Sequence, residues 1–158
     1  FFKNKISNLI NYDFEENLLK NINHSKNKGY EVRYFWERNV FNGSLVFRLQ
    51  DPRDNLGLRL LRRSKKSLSI NVYRNLLHGT INLNFIAFDK KRDFGDITLP
   101  KYHLINLTFL KKISKKMELT IKLENLLDEE YFTASGFNGY YQNQGRAMWL
   151  NVTYKIEP

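Results

Sequence analysis

Runs of about ten residues in which every second side chain is apolar recur along this chain, and they limit what it can fold into. The clearest is Met117-Glu118-Leu119-Thr120-Ile121-Lys122-Leu123-Glu124. Met117, Leu119, Ile121 and Leu123 fall on one face, and Glu118, Thr120, Lys122 and Glu124 on the other. A period of two belongs to a strand; helical spacing would mix charge into the apolar stripe. The same pattern runs through Tyr30-Val32-Tyr34-Trp36, Leu45-Phe47-Leu49, Leu68-Ile70-Val72, Ile81-Leu83-Phe85-Ala87, Ile105-Leu107-Phe109 and Leu150-Val152-Tyr154-Ile156. With a weaker opening segment, this predicts eight antiparallel strands over 1–12, 18–38, 43–51, 65–75, 79–89, 102–111, 116–126 and 146–156. The expected class is all-β, with strands running up and down in sequence order.

Strands of about ten residues are long for a water-soluble sheet, whose mode is roughly five to six. They match the roughly 9–11 residues that cross a bilayer at a tilt. The connections alternate as well. Those at 39–42, 76–78 and 114–115 are short, while most of the others (13–17, 51–64, 90–101 and 127–145) are long. Short turns at one end and long loops at the other describe a transmembrane β-barrel. Aromatic residues near strand ends (Tyr12, Phe14, Trp36, Phe41, Tyr102, Tyr131 and Tyr154) fit an interfacial girdle. Periodicity by itself leaves open whether the apolar face meets lipid or a packed interior.

Composition narrows the function classes. The 26 Lys and Arg against 16 Asp and Glu give a net charge of +10, which raises nucleic acid as a partner. The charges are scattered over strands and turns, however, so no nucleic-acid partner is expected. The chain has no cysteine, which excludes disulfides and thiolate chemistry. Its 12 Phe, 9 Tyr and 2 Trp argue against disorder. His24, His78 and His103 are far apart and have no ligand at metal spacing, so neither a metal nor any other cofactor is expected. Asp128-Glu129-Glu130 lacks the second carboxylate in a distinct environment that acid–base catalysis needs. No phosphate loop or nucleophile elbow is present, and the chain is read as a non-enzyme.

The C-terminal third carries a recognisable combination. Asn125-Leu126-Leu127-Asp128-Glu129-Glu130-Tyr131, then Gly136-Phe137, then Gly145-Arg146 opening a final alternating strand, resembles the last two strands of TonB-dependent outer-membrane receptors. Phe2-Lys3-Asn4-Lys5-Ile6-Ser7-Asn8-Leu9-Ile10, Lys28-Gly29-Tyr30-Glu31 and Leu60-Leu61-Arg62-Arg63-Ser64 look like further family segments, in an order most like the cobalamin receptor branch. The family's barrels have 22 strands and a plugged lumen. The resemblance therefore implies the C-terminal barrel portion of such a receptor, with the plug domain and the TonB-contacting segment outside this chain. It implies residence in the bacterial outer membrane, long loops facing outward, and Phe1 starting in the periplasm. It implies uptake of cobalamin or an iron chelate, with TonB acting only through the missing plug.

Site expectations follow. Phe137, Tyr140 and Tyr141, in the long loop before the last strand, are candidate substrate contacts, since flat aromatic rings suit a large amphipathic ligand. Arg92, Asp93 and Phe94 in the neighbouring loop stand the same way. Glu31, Arg33, Glu118, Lys122 and Glu124 are expected to line the lumen or face the plug. Arg62 and Arg63 are solvated charge, lumenal residues or ligands for lipopolysaccharide phosphates. Trp149, Val152, Tyr154 and Ile156 correspond to the strand that the barrel-assembly machinery reads, with Ile156 where the family usually has an aromatic residue. Outer-membrane lipid and lipopolysaccharide are the expected surroundings. The alternatives are a self-closed eight-stranded barrel with a binding or structural role, and a soluble basic β protein that binds nucleic acid.

Overall fold

The computed structural model describes residues 1–7, 10–13, 16–21, 24–76, 78–136 and 139–156, with the side chains of 11–13 and 96 left out. In chain order the strands are β1 (Phe2–Ser7), β2 (Ile10–Asp13), β3 (Leu18–Asn21), β4 (His24–Trp36), β5 (Asn42–Asp54), β6 (Lys66–Leu76), β7 (Gly79–Phe88), β8 (Lys91–Arg92), β9 (Thr98–Leu99), β10 (Tyr102–Lys112), β11 (Met117–Glu124), β12 (Phe132–Gly136), β13 (Gly139–Gln142) and β14 (Ala147–Tyr154). Eight of them form one antiparallel sheet in the order β1-β4-β5-β6-β7-β10-β11-β14. The other six pair as hairpins, β2-β3, β8-β9 and β12-β13. The hairpins lie inside three of the long connections, so one end of the wall carries folded loops and the other carries tight turns. Strand bounds follow the alternation to within a few residues. The expected strands 1–12 and 18–38 each divide into a hairpin arm and a wall strand. Ser7 pairs with His24 and Ile10 with Asn21, one register on both sides of the break.

The registers assign the two faces, because residues directly opposite each other share a side. One cross-strand row reads Trp36, Gly43, Val72, Leu83, Leu107, Leu123 and Met148. The next reads Tyr34, Leu45, Ile70, Phe85 and Ile105. These rows make an apolar band that nothing covers. Tyr34, Phe47, Leu83, Met148, Leu150 and Val152 are all exposed, and the buried hydrophobic residues are only Leu99, Tyr102 and Leu104 among those described. A soluble protein of this size would bury such a face in a core, whereas here the polar face is the one that interacts with itself. Asn71, Asn84 and Asn106 are linked side chain to side chain across three strands at 2.8 and 3.3 Å. Glu31 is paired with Arg33 at 2.6 Å and also with Arg48. Lys122 pairs with Glu124 at 2.6 Å.

Gly43 shows how closely the band is fitted. A Cβ there would lie 2.1 Å from Trp36 Cζ2, so the indole lies over the bare glycine of the next strand. This is the aromatic cover that glycine in a sheet calls for.

Among the described residues, β1 pairs only with β4 and β14 only with β11. The wall is therefore an open curved sheet with two free edges, not a self-closed barrel. Free edges are templates for further strands. β14 ends at Tyr154, so Ile156 lies beyond the strand that was expected to include it.

Candidate functional site

The folded loops at one end converge on Asp93, which is fully buried. Its carboxylate accepts from the Ser135 N–H at 2.6 Å and the Ser135 hydroxyl at 2.9 Å. It also accepts from Arg62 Nε at 2.9 Å and from the Phe94 N–H at 3.0 Å. Three separate connections, 55–65, 89–101 and 125–146, are thus fastened by one side chain. Arg62 makes further ties: its N–H donates to Arg92 O at 2.7 Å, and Nη2 donates to Ser135 O at 3.3 Å. Its guanidinium sits 5.2 Å from the Phe94 ring centroid. Arg62 has φ +58°, a left-handed conformation that a branched or long side chain adopts only where its surroundings hold it.

Burial pushes the Asp93 carboxyl up, but the Ser135 N–H, the Arg62 guanidinium, the Phe94 N–H and the Ser135 hydroxyl outweigh it, and the net direction is below the usual 3.8. A depressed acid stabilises the folded loops in full above its unfolded pKa, and that contribution disappears as pH falls through the folded pKa. The cluster is therefore expected to hold from neutral pH down to about pH 4 and to loosen only below it. Proteolysis of the loops across a pH series checks this, and loosening between pH 7 and 5 would contradict it.

Beneath this cluster lies the small core. Tyr102 and Leu104 are on the polar face, and Leu99 is the last residue of β9, paired with Lys91. The Tyr131 ring packs tilted against Tyr102, with centroids 4.8 Å apart, and the Phe88 ring lies 5.3 Å from that of Tyr102. Lys91 is buried here, with Nζ 3.2 Å from Tyr102 Oη and 4.8 Å from the Phe88 and Tyr102 ring centroids. Burial pushes its ammonium down, and Arg63 adds to this. Tyr102 and Tyr131 are therefore cap residues and not members of an interfacial girdle. Trp36 and Tyr154 do lie on the apolar face, while Phe14 and the Tyr12 side chain fall outside the described residues.

The base of the last loop explains a sequence motif physically. Asn125 (φ +50°) accepts from the Glu129 N–H and donates to Glu129 O, both at 2.9 Å. Asp128 (φ +56°) accepts from the Arg146 N–H at 2.7 Å, across the mouth of the loop. A Cβ at Gly145 would lie 2.9 Å from that carboxylate oxygen. The Asn, Asp and Gly-Arg of the motif thus form one clamp. Gly145→Ala is expected to push Asp128 off Arg146 and to cost about 0.5–1.5 kcal/mol, the worth of one exposed hydrogen bond. Thermal melts of the variant measure this, and an unchanged melt would remove the clamp from the account.

The sequence candidates fall as follows. Arg92 and Phe94 join Arg62 and Ser135 in the Asp93 cluster. Tyr140 and Tyr141 are exposed on β13, across from Ser135 and Ala134. The Tyr140 ring packs tilted against Phe132, with centroids 4.9 Å apart. Phe137 lies outside the described residues. Glu31, Arg33, Glu118, Lys122 and Glu124 all lie on the polar face. Trp149 shares that face and donates from Nε1 to Glu124 at 2.7 Å, whereas Val152 and Tyr154 lie on the apolar one. Sequence reasoning placed Asp93 among ligand contacts and did not find its role as fastener, nor Ser135, because nothing in the pattern links positions 42 residues apart.

No protein-family model matches the chain. It is 28% identical over 160 aligned positions to the vitamin B12 transporter BtuB of Vibrio cholerae serotype O1 (strain ATCC 39541), covering 96% of this chain and 26% of the relative. It is 28% identical over 139 positions to BtuB of Vibrio vulnificus (strain YJ016), covering 86% of this chain and 22% of the relative. The chain thus spans about a quarter of the length of the curated relatives it matches. Among solved structures, the pyoverdine outer membrane receptor FpvA of Pseudomonas aeruginosa PAO1 superposes with TM-score 0.70 at 17% identity, over 98% of this chain and 26% of that one. The alternation, the clamp motif, the wall topology and these likenesses agree: the chain resembles a portion of the barrel of the TonB-dependent outer-membrane receptors, and in sequence it is similar to the vitamin B12 transporters among them.

Proposed function

We propose that this chain supplies barrel wall and outer loops to a TonB-dependent active transporter that takes up cobalamin or an iron chelate across the outer membrane. The supporting observation is the pairing of an uncovered apolar face with a polar face capped at one end by fastened loops. In this reading the apolar band meets lipid and the polar face lines the lumen. The four long connections look outward, and Tyr140 and Tyr141 stand on the hairpin that a large ligand meets first. Residues 1–158 are the C-terminal part of the barrel, and the plug on which TonB acts is supplied from outside them. β14 is the strand offered to the assembly machinery.

Uptake of labelled cobalamin and of ferric chelates by cells carrying the receptor, with and without TonB, tests the reading. Cobalamin uptake is expected to depend on both receptor and TonB. Replacing Tyr140 and Tyr141 together by alanine is expected to weaken half-saturation about tenfold, the effect of about 1.4 kcal/mol of lost contact. TonB-dependent uptake of an iron chelate alone would move the substrate to the second class. Uptake of neither would overturn the function.

A further inference from the structure

At the short-turn end, the apolar face carries a groove that the transport reading does not use. Its cause lies in the backbone. Gly79 opens β7, with Leu76 of β6 as its partner on one side and Lys111 of β10 on the other. A Cβ at Gly79 would lie 2.2 Å from the Leu110 carbonyl oxygen, so the close approach of β10 admits only glycine. The missing side chain leaves a notch in the apolar face. Arg74, Leu76, His78, Phe109 and Lys111 stand around it, and together they line an open groove of about 500 Å³. The Lys112 N–H donates to His78 O at 2.9 Å and holds the turn against β10, so the groove has a fixed floor. Arg74, Leu76 and Lys111 are all exposed.

Two cations thus flank an apolar floor, and among the described residues no acid lines the groove. The row of Arg74 continues through Ile81, Phe109, Ile121 and Leu150, and that of Lys111 through Leu119 and Val152, again without an acid. On a lipid-facing strand a cation is destabilising at the midplane and tolerated near the interface. Arg74 stands two residues before the end of β6 and Lys111 one before the end of β10, whereas Ile121 is four residues into β11. At about 3.4 Å per residue, both cations lie within roughly 7 Å of their strand ends. Their long stems lie along apolar surface while the charged heads reach the headgroup layer. The two are separated by two strands and one row, about 12 Å between Cα atoms, a span that two long side chains can close on one phosphate. We infer that this groove holds an anionic glycerophospholipid of the periplasmic leaflet, its phosphate over Gly79 between Arg74 and Lys111 and an acyl chain running past Phe109 to the apolar band. The inference rests on the apolar face being the lipid face, and it is independent of which substrate is carried.

Native mass spectrometry of the purified receptor in detergent, titrated with phosphatidylglycerol or with phosphatidylcholine, provides the test. The first phosphatidylglycerol is expected to bind about tenfold more tightly than the first phosphatidylcholine. R74Q/K111Q is expected to abolish that preference, and the charge-preserving R74K/K111R to keep it. K112Q/K122Q removes the same charge from the polar face and is expected to leave the preference unchanged. Melting is a second readout: added phosphatidylglycerol is expected to raise the melting temperature of the wild type and not that of R74Q/K111Q. Equal binding of the two lipids, a preference that survives R74Q/K111Q or falls equally in K112Q/K122Q, or displacement of the lipid by inorganic phosphate would overturn the groove. The reading beneath it is tested separately, by spin-labelled phosphatidylcholine in bilayers that contain the receptor. A motionally restricted lipid population is expected there whatever the headgroup preference, and a spectrum without one would sink the lipid-facing wall itself.

Discussion

Ile121→Arg is expected to destabilise the membrane-inserted protein by about 2–4 kcal/mol. Lys122→Gln, one residue along the same strand, is expected to change stability by less than about 0.5 kcal/mol. Ile121 sits in the row Arg74, Ile81, Phe109, Ile121 and Leu150, with Phe109 and Leu150 as its direct partners. A guanidinium there would be placed in hydrocarbon with no acid on the same face of either neighbour. Lys122 points the other way, is half-exposed, and has only the Glu124 ion pair to lose. Exposed pairs of that kind contribute about 0–1 kcal/mol. Glu124 also keeps the Trp149 indole as a donor. Denaturant unfolding from lipid vesicles gives both numbers. Reversed costs would mean that the polar face meets lipid.

Asp93→Ala is expected to release the loop cap while leaving the wall intact. The substitution strands the buried Ser135 N–H and leaves Arg62 to water, at a cost of about 3 kcal/mol in local opening. Hydrogen exchange at the Ser135 amide should then quicken about a hundredfold. Amides in the β7-β10 ladder should hold their protection, because local opening at the surface does not require opening of the sheet. Ser135→Ala keeps the backbone donor and removes the hydroxyl, so a smaller effect is expected. If the ladder amides quickened together with Ser135, Asp93 would be fastening the wall as well as the loops.

The strands were legible because one solvent acts on one whole face. An uncovered apolar band forces alternation on every wall strand, and a period of two survives in any single sequence. Leu119, Ile121 and Leu123 announce β11 without help from elsewhere in the chain. The loops obey no such field. The tie between Asp93 and Ser135 depends on two connections meeting in space, and each looks like ordinary polar loop when read alone. Hairpins β8-β9 and β12-β13 were read as open loop for the same reason, since their few residues alternate against nothing continuous. The clamp of Asn125, Asp128 and Gly145 was visible only as a motif. Its cause, a carboxylate oxygen 2.9 Å from where a Gly145 Cβ would lie, depends on the two ends of the loop meeting in space. Tyr102 and Tyr131 misled because an aromatic residue at a strand end fits a membrane girdle and a loop core equally well.

Which solvent wets each face of β11 can be measured directly. The chain has no cysteine of its own, so single cysteines introduced at 117 to 124 can each carry a spin label. In lipid vesicles, collisions with apolar oxygen are predicted to peak at 117, 119, 121 and 123, and collisions with a water-soluble nickel chelate at 118, 120, 122 and 124. Labels at the odd positions that proved inaccessible to oxygen, hidden inside a packed body, would contradict the membrane-spanning wall.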